Sequence, residues 1–324
     1  MIITPKELQE WFKNGNNFTV LDIRPKKQIK EFPLAELKHI TGSIDVLKNI
    51  NGKVILVCQF GIVTEGIIIE HNLENTYSLL GGVQAWTDFL DEKSDLSRWS
   101  RQTVLEEIGL EGQKKIMNAK VAIVGMGGLG CPAAKSLVAS GLGYLKIIDG
   151  DTIELSNLHR QHLYSERDIG RKKVFCAKKA LKNLSSKVFI EANDVFFSEE
   201  NGYDLIKNSD IIIDASDNIS TRQIIDRFSK KANIPMVYGS LYRFEGQVGI
   251  FNINGTGGYS ELFPKEPSGG ESCVDAGIVG MMPGIIGNIQ ALETIKLITG
   301  LKPNLIGKLL LYNGLNHTTQ IIEL

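Results

Sequence analysis

The sequence predicts an α/β protein with parallel sheets in two domains. Short apolar runs alternate with helical patterns along most of the 324 residues. One run opens directly into a glycine-rich turn and a helix, and a charged stretch at 91–98, DEKSDLSR, separates two such βα-rich segments. Apolar strands that alternate with helices build parallel βαβ units with both sheet faces covered. The expected domains are 1–95 and 96–324.

The N-terminal segment starts on a capped helix, with Thr4 as N-cap, Pro5 at the first helical position and Glu7 three residues after the cap. FTVLDIR (18–24) and KVILVC (53–58) read as buried strands, EGIIIEHNL (65–73) as a helix, and Gly81 and Gly82 as a turn. The second segment opens with strand KVAIVG (120–125), the glycine turn and helix CPAAKSLVASGL (131–142). Strands follow at YLKIIDGD (144–151), DIIIDAS (210–216) and PMVYGS (235–240). Ligands on such sheets gather at the carboxyl ends of the strands, where Gly125, Asp149 and Asp217 all fall.

Composition excludes several classes of function. The net charge is -1, so nothing draws the whole chain to nucleic acid or an anionic membrane. No apolar run reaches the roughly 20 residues that span a bilayer. Four scattered cysteines make no disulfide framework, and the N-terminus has no basic leader with an apolar core, so a cytoplasmic location is expected.

Gly125, Gly127, Gly128 and Gly130 satisfy G-x-G-x-x-G between a strand and a helix. Glycines let the backbone approach a phosphate, and the helix N-terminus favours its charge. Asp149, at the end of the next strand, stands where an acid binds ribose hydroxyls. These features make the domain Rossmann-like and fit an NAD-dependent oxidoreductase as well as an ATP-using enzyme. The residues that follow favour a triphosphate: Asn157 and Arg160 in SNLHRQ, Lys173 in IGRKK, and Asp217 in DASDN. A triphosphate needs cations around the leaving pyrophosphate and a carboxylate for Mg2+, whereas a dinucleotide carries less charge. Taken singly, Arg160 and Lys173 would each be read first as solvated surface charges, the fate of most Lys and Arg.

From about Arg98 onward the chain resembles the MoeB/ThiF-type adenylyltransferases, bacterial relatives of ubiquitin-activating enzymes. The strings that carry the resemblance are RWSRQTVLEEIGLEGQKKI, GMGGLGCP, DGDTIELSNLHRQ, DIGRKK, DASDN, YGSLYRFEGQV and GIIGNIQALETIK, in the family's order. The resemblance implies that Asp149 holds the ribose and that Asn157, Arg160 and Lys173 contact phosphates. It implies that Asp217 binds Mg2+ or the reacting phosphate, and that Arg101 reaches into the site of a partner subunit in a homodimer.

Two cysteines lie where chemistry is possible. Cys273, in GGESCVDAGIVG after a Gly/Pro/Ser-rich stretch, could attack an activated acyl group or be a small buried hydrophobe. In related enzymes it links covalently to the carrier protein. Cys58 ends a strand and starts a loop whose backbone N–H groups would stabilise a thiolate. The segment from residue 1 to about 92 resembles a rhodanese domain through TPKELQEWF, LDIR, HITGSI, CQFG and LLGGVQAW, which implies a persulfide on Cys58. The loop carries Gln59, Ile62, Val63 and Thr64 where active rhodaneses often carry arginines, so a docking module without sulfur transfer is the other reading. Asp22 and Arg24 read as a structural pair, and Cys131 and Cys176 as packing residues on helices.

Many relatives hold a structural zinc with two C-x-x-C pairs. Here the first pair aligns with Gly258 and Glu261 and no second pair follows, so no zinc site is expected. The combined resemblance implies ATP and Mg2+ as cofactors and a ubiquitin-like sulfur-carrier protein ending in Gly-Gly as partner. It implies a persulfide donor such as a cysteine desulfurase as a second partner. Molybdopterin synthesis is the first pathway expected and thiamine thiazole synthesis the second. A non-catalytic scaffold that binds carrier and donor is the competing class.

Overall fold

The structure, a computed structural model, describes residues 1–93, 96–264 and 277–324. It divides into two compact units, Met1–Arg98 and Trp99–Leu324.

The first unit carries a five-stranded parallel sheet among the described residues. Its strands are β1 (Ile2–Ile3), β2 (Phe18–Asp22), β3 (His39–Thr41), β4 (Lys53–Val57) and β5 (Thr76–Leu79), in the order β1-β5-β4-β2-β3. Strand alternation splits β4 between two cores, with Ile55 and Val57 on one face and Val54 and Leu56 on the other. The first helix, Pro5–Lys13, has the expected capping box between Thr4 and Glu7. The helix expected over 65–73 begins earlier and spans Ile62–Glu70, because left-handed Gly61 (φ 82°) lets the chain turn straight into it from the loop after β4. The helix Gly82–Lys93 runs into the stretch read as a linker.

The second unit carries an eight-stranded sheet among the described residues. Its strands are β6 (Lys120–Val124), β7 (Tyr144–Ile148), β8 (Phe189–Asn193), β9 (Ile211–Asp214), β10 (Met236–Tyr242), β11 (Glu245–Phe251), β12 (Lys308–Asn313) and β13 (Thr318–Glu323). The order is β13-β12-β11-β10-β9-β6-β7-β8. From β10 to β8 all pairings are parallel, as the apolar runs predict. Val121 and Ile123 join one core and Ala122 and Val124 the other, so helices cover both faces.

The antiparallel strands β11 to β13, which extend the sheet from β10, were not legible in the runs. The β10–β11 connection passes through Arg243 at φ 53°, and β12–β13 through His317 at φ 56°, so neither turn shows a glycine in the left-handed position. β13 is exposed along its whole length and lacks an apolar face. The helix Met282–Thr299 packs across the sheet, where buried Gln290 donates to Asp214 O at 2.7 Å and Val237 O at 3.1 Å. No helix among the described residues is long and apolar enough to cross a membrane.

Candidate functional site

The glycine loop sits at the switch point of the second sheet. β6 is flanked there by β7 and β9, which lead away on opposite sides, and ligands collect at such a crevice. Gly125 is left-handed (φ 98°), and a Cβ on it would meet Ala215 O at 2.5 Å. A Cβ on Gly130 would meet Gly125 O at 2.0 Å, so this glycine permits close helix–strand packing. Gly127 is different: its added Cβ would find nothing nearer than Gln161 Nε2 at 3.7 Å. Gly127 therefore leaves space above the loop, as close approach of a ligand requires. The N–H groups of Gly127, Gly128, Leu129 and Gly130 meet no acceptor among the described residues, as expected for a first helical turn facing a ligand.

Three groups of side chains surround this loop. Asp149 follows β7 and accepts hydrogen bonds from Met126 N (2.7 Å) and Asp151 N (2.8 Å). Burial raises its carboxyl pKa, partly offset by Lys173 and by these two N–H donors. Lys173 is buried at the start of the helix Lys173–Leu184 and pairs with Asp151 Oδ2 at 2.8 Å. Asn157 and Arg160 lie in and just after the short turn Leu155–Asn157. Asn157 Oδ1 accepts from Glu154 N, and Arg160 Nη1 donates to Ser156 O. A Cβ on Gly128 would come 3.8 Å from Arg160 Cδ, which fixes this turn beside the loop.

Asp217 follows β9 on the other side, exposed, with among the described residues only a long 3.5 Å contact from Asn218 Nδ2. Below it, Asp214 is fully buried and binds Arg222 Nε at 2.6 Å. Arg222 also donates to Ser216 O and Gly239 O, so one buried ion pair shapes the loop that carries Asp217. Arg101 projects from the short helix Ser100–Thr103 and is exposed. Its neighbours anchor that helix: Trp99 Nε1 donates to Ala139 O and Gln102 Nε2 to Ser140 O.

The structure thus gathers Asp149, Asn157, Arg160, Lys173 and Asp217 around the four glycines at one end of the sheet. Sequence reasoning overlooked Asp151, the partner of Lys173, and Asp214 with Arg222. It also overlooked Gln161, whose buried Oε1 has no hydrogen-bond partner among the described residues. The signal for Gln161 was its place in SNLHRQ, and for Asp214 the first position of DASDN. Tyr164 was overlooked as well.

In the first unit, Cys58 is buried at the end of β4, and Gly61 N donates to its Sγ at 3.1 Å. Burial works against the thiolate. The Thr64 hydroxyl, 3.5 Å away, and the backbone of Thr64, Phe60 and Val63 outweigh it, so the thiol pKa lies below its ordinary value. Gly82 keeps the floor of this loop open, since a Cβ there would meet Cys58 O at 2.3 Å. Asp22 and Arg24 form a buried bidentate pair, and Arg24 Nη1 also donates to Gln59 Oε1 at 3.0 Å, tying the pair to the loop. Phe60 and Leu80 on the adjoining loops, and Ile62 and Val63 at the start of the helix Ile62–Glu70, are exposed.

Cys131 is buried on its helix, and Cys176 is partly buried. Cys273 lies outside the described residues. At Gly258 and Glu261 the turn is held by hydrogen bonds: buried Asp226 accepts from Tyr259 N, Ser260 N and Asn252 Nδ2, and Lys230 pairs with Glu261.

Residues 99–324 match the model of the ThiF family. The sulfur carrier protein adenylyltransferase of Thermus thermophilus is 40% identical over 230 residues, covering 69% of this chain and 85% of that protein. The adenylyltransferase and sulfurtransferase MOCS3 of Xenopus laevis is 41% identical over 223 residues, covering 68% of this chain. The chain spans about half the length of that MOCS3 protein, 49%. Among solved structures, selenomethionine PaaA superposes with a TM-score of 0.61 at 29% identity, covering 71% of this chain and 82% of PaaA. E. coli MccB shares the fold, with a TM-score of 0.64 at 22% identity, covering 74% of this chain and 76% of MccB.

Proposed function

The chain belongs to the ThiF family, and from that premise we propose that residues 99–324 adenylate the C-terminal glycine of a ubiquitin-like sulfur-carrier protein. The observation that carries this reading is the gathering of Asp149, Arg160, Lys173 and Asp217 around a loop whose N–H groups meet no acceptor among the described residues. The loop amides and the two cations would receive the phosphates of ATP, and Asp149 the ribose. The carrier carboxylate attacks the α-phosphorus, the bond to the bridging oxygen breaks, and pyrophosphate leaves with the electron pair. Asp217, with an exposed carboxylate, is the residue that would hold Mg2+. The ion would neutralise phosphate charge when bound. Arg101, held out by its anchored neighbours, fits a role across a homodimer interface. An NAD-dependent oxidoreductase accounts less well for the family membership and for the cations beside the loop.

The first unit extends the same reading. Cys58, with a stabilised thiolate, would accept sulfur as a persulfide from a donor such as a cysteine desulfurase. The outer sulfur would displace AMP from the acyl-adenylate, and a second thiol would then take over the disulfide bond to Cys58 and release the carrier thiocarboxylate. The exposed apolar rim of Phe60, Ile62, Val63 and Leu80 favours a protein donor over a small anion. Cys273 would link covalently to the carrier. The cytoplasm is the expected location. Molybdopterin synthesis is the pathway we favour, with thiamine thiazole synthesis second.

ATP–pyrophosphate exchange, measured with a cognate carrier, tests the central claim. Exchange that depends on the carrier supports it, and binding of carrier without exchange leaves only a scaffold. The protein should also fold without zinc, since hydrogen bonds accepted by Asp226 hold the turn at Gly258. Elemental analysis should find far less than one zinc per chain, and stoichiometric zinc would overturn this expectation.

A further inference from the structure

Among the described residues, Met126 is the one residue of the glycine loop whose peptide groups are held from outside the loop on both sides. Its N–H donates to Asp149 Oδ2 at 2.7 Å. Its carbonyl accepts from Tyr164 OH at 2.8 Å and from Cys131 Sγ at 3.4 Å. The Met126 side chain is fully buried in the core that also contains Tyr164 and Cys131. Three elements therefore converge on one residue: the end of β7, the segment after Arg160, and the helix that the loop itself enters.

From this arrangement we infer that Tyr164 is a positioning residue for nucleotide binding, fixing the glycine loop so that its free N–H groups meet the phosphates. The inference rests on the adenylyltransferase reading above. A loop between left-handed Gly125 and Gly130 has wide conformational freedom, and each amide that must face a phosphate loses some of it. A carbonyl held at 2.8 Å by a rigid ring removes that freedom before ligand arrives, which lowers the cost of binding. The clamp also keeps its protons. Burial, with Cys131 and Asp149 nearby, raises the Tyr164 phenol far beyond its ordinary pKa. Burial likewise pushes the Cys131 thiol up to about 12, so both groups remain donors across the working pH range. Asp149 then has two tasks, since the same carboxylate that would face the ribose holds the opposite side of the clamped residue.

Tyr164→Phe removes one hydroxyl and keeps the ring, and Tyr144→Phe serves as the control. Tyr144 also loses a phenol hydrogen bond, to Glu191, but at the amino-terminal end of β7, away from the loop. Calorimetric titration of the full chain with ATP·Mg2+ should show about tenfold weaker binding for Tyr164→Phe and no change for Tyr144→Phe. In pyrophosphate exchange the KM for ATP should rise about tenfold while kcat changes less than about threefold. Wild-type affinity in folded Tyr164→Phe overturns this inference alone. A wild type that binds no ATP removes the adenylyltransferase reading, and the inference with it. If Tyr164→Phe does not fold, hydrogen exchange on the wild type decides. The Tyr164 hydroxyl proton, held on the Met126 carbonyl, should exchange slowly without nucleotide, and exchange as fast as in a solvent-exposed tyrosine would show that Tyr164 does not hold the loop.

Discussion

Two loops in this chain use the same backbone device in opposite surroundings. Each follows a parallel strand, contains a left-handed glycine and leads into a helix, so each presents N–H groups to negative charge. After β4 the charge belongs to the loop itself, because Gly61 N points at Cys58 Sγ. After β6 the N–H groups meet no acceptor among the described residues, and Arg160, Lys172 and Lys173 stand nearby on the segments that follow β7. Around Cys58 the exposed rim is Phe60, Ile62, Val63 and Leu80. Both loops present backbone N–H groups, and what differs is the side chains around them, cationic after β6 and apolar around Cys58.

The sharpest break of this comparison is at Asp217. Asp217→Ala should lower ATP–pyrophosphate exchange at least about a hundredfold with no loss of stability, because the carboxylate is exposed. Near wild-type exchange would sink the proposed site. Mixing inactive Asp217→Ala with inactive Arg101→Ala should restore part of the activity, since a mixed dimer holds one intact composite site. No recovery after demonstrated subunit exchange argues against a trans role for Arg101.

Cys58→Ala separates the two loops. Exchange should stay within about twofold of wild type, because adenylation uses the carrier carboxylate and no thiol. Persulfide-driven thiocarboxylate formation should fall at least about tenfold, read as the gain of about 16 Da in carrier mass when sulfur replaces oxygen. Thiocarboxylate formed at the wild-type rate with every donor would make the first unit a docking module.

Within the glycine loop, the four glycines should not behave alike. Gly130→Ala drives a methyl to within 2.0 Å of Gly125 O and should cost about 3 kcal/mol or more, a drop of roughly 6–12 °C in Tm. Gly127→Ala meets nothing nearer than 3.7 Å and should leave Tm nearly unchanged while weakening ATP binding. Equal Tm values for the two variants would contradict the assignment of packing to Gly130 and ligand approach to Gly127.

The smallest effect is a shift in titration. Thr64 is the leading hydrogen-bonding contribution that lowers the Cys58 pKa. Removing a donor that favours the thiolate raises the thiol pKa, so Thr64→Val should move the pH profile of Cys58 alkylation to higher pH. An unmoved midpoint means that the backbone N–H groups alone stabilise the thiolate.

Strand and helix positions near both sites were legible because they follow from local periodicity. Runs such as KVAIVG and DIIIDAS bury both faces and end where the chemistry begins. The glycine spacing, Asp149 and Asp217 were visible for the same reason: their places relative to strand ends are set by the chain within a few residues. The antiparallel strands were hidden, since Arg243 and His317 supply the left-handed turn positions without glycine and β13 has no buried face.

What only the tertiary structure decided is pairing across distance. Sequence separates Tyr164 from Met126, Arg222 from the backbone it steadies at Gly239, and Arg24 from Gln59. Folding brings each pair within about 3.1 Å. No local pattern encodes those contacts, because a hydrogen bond depends on where two elements land on the same sheet and not on the residues beside each partner. The sequence by itself determined which strand ends carry glycines, acids and a cysteine. The fold decided which of them are held rigid, which are buried, and which remain open to a ligand.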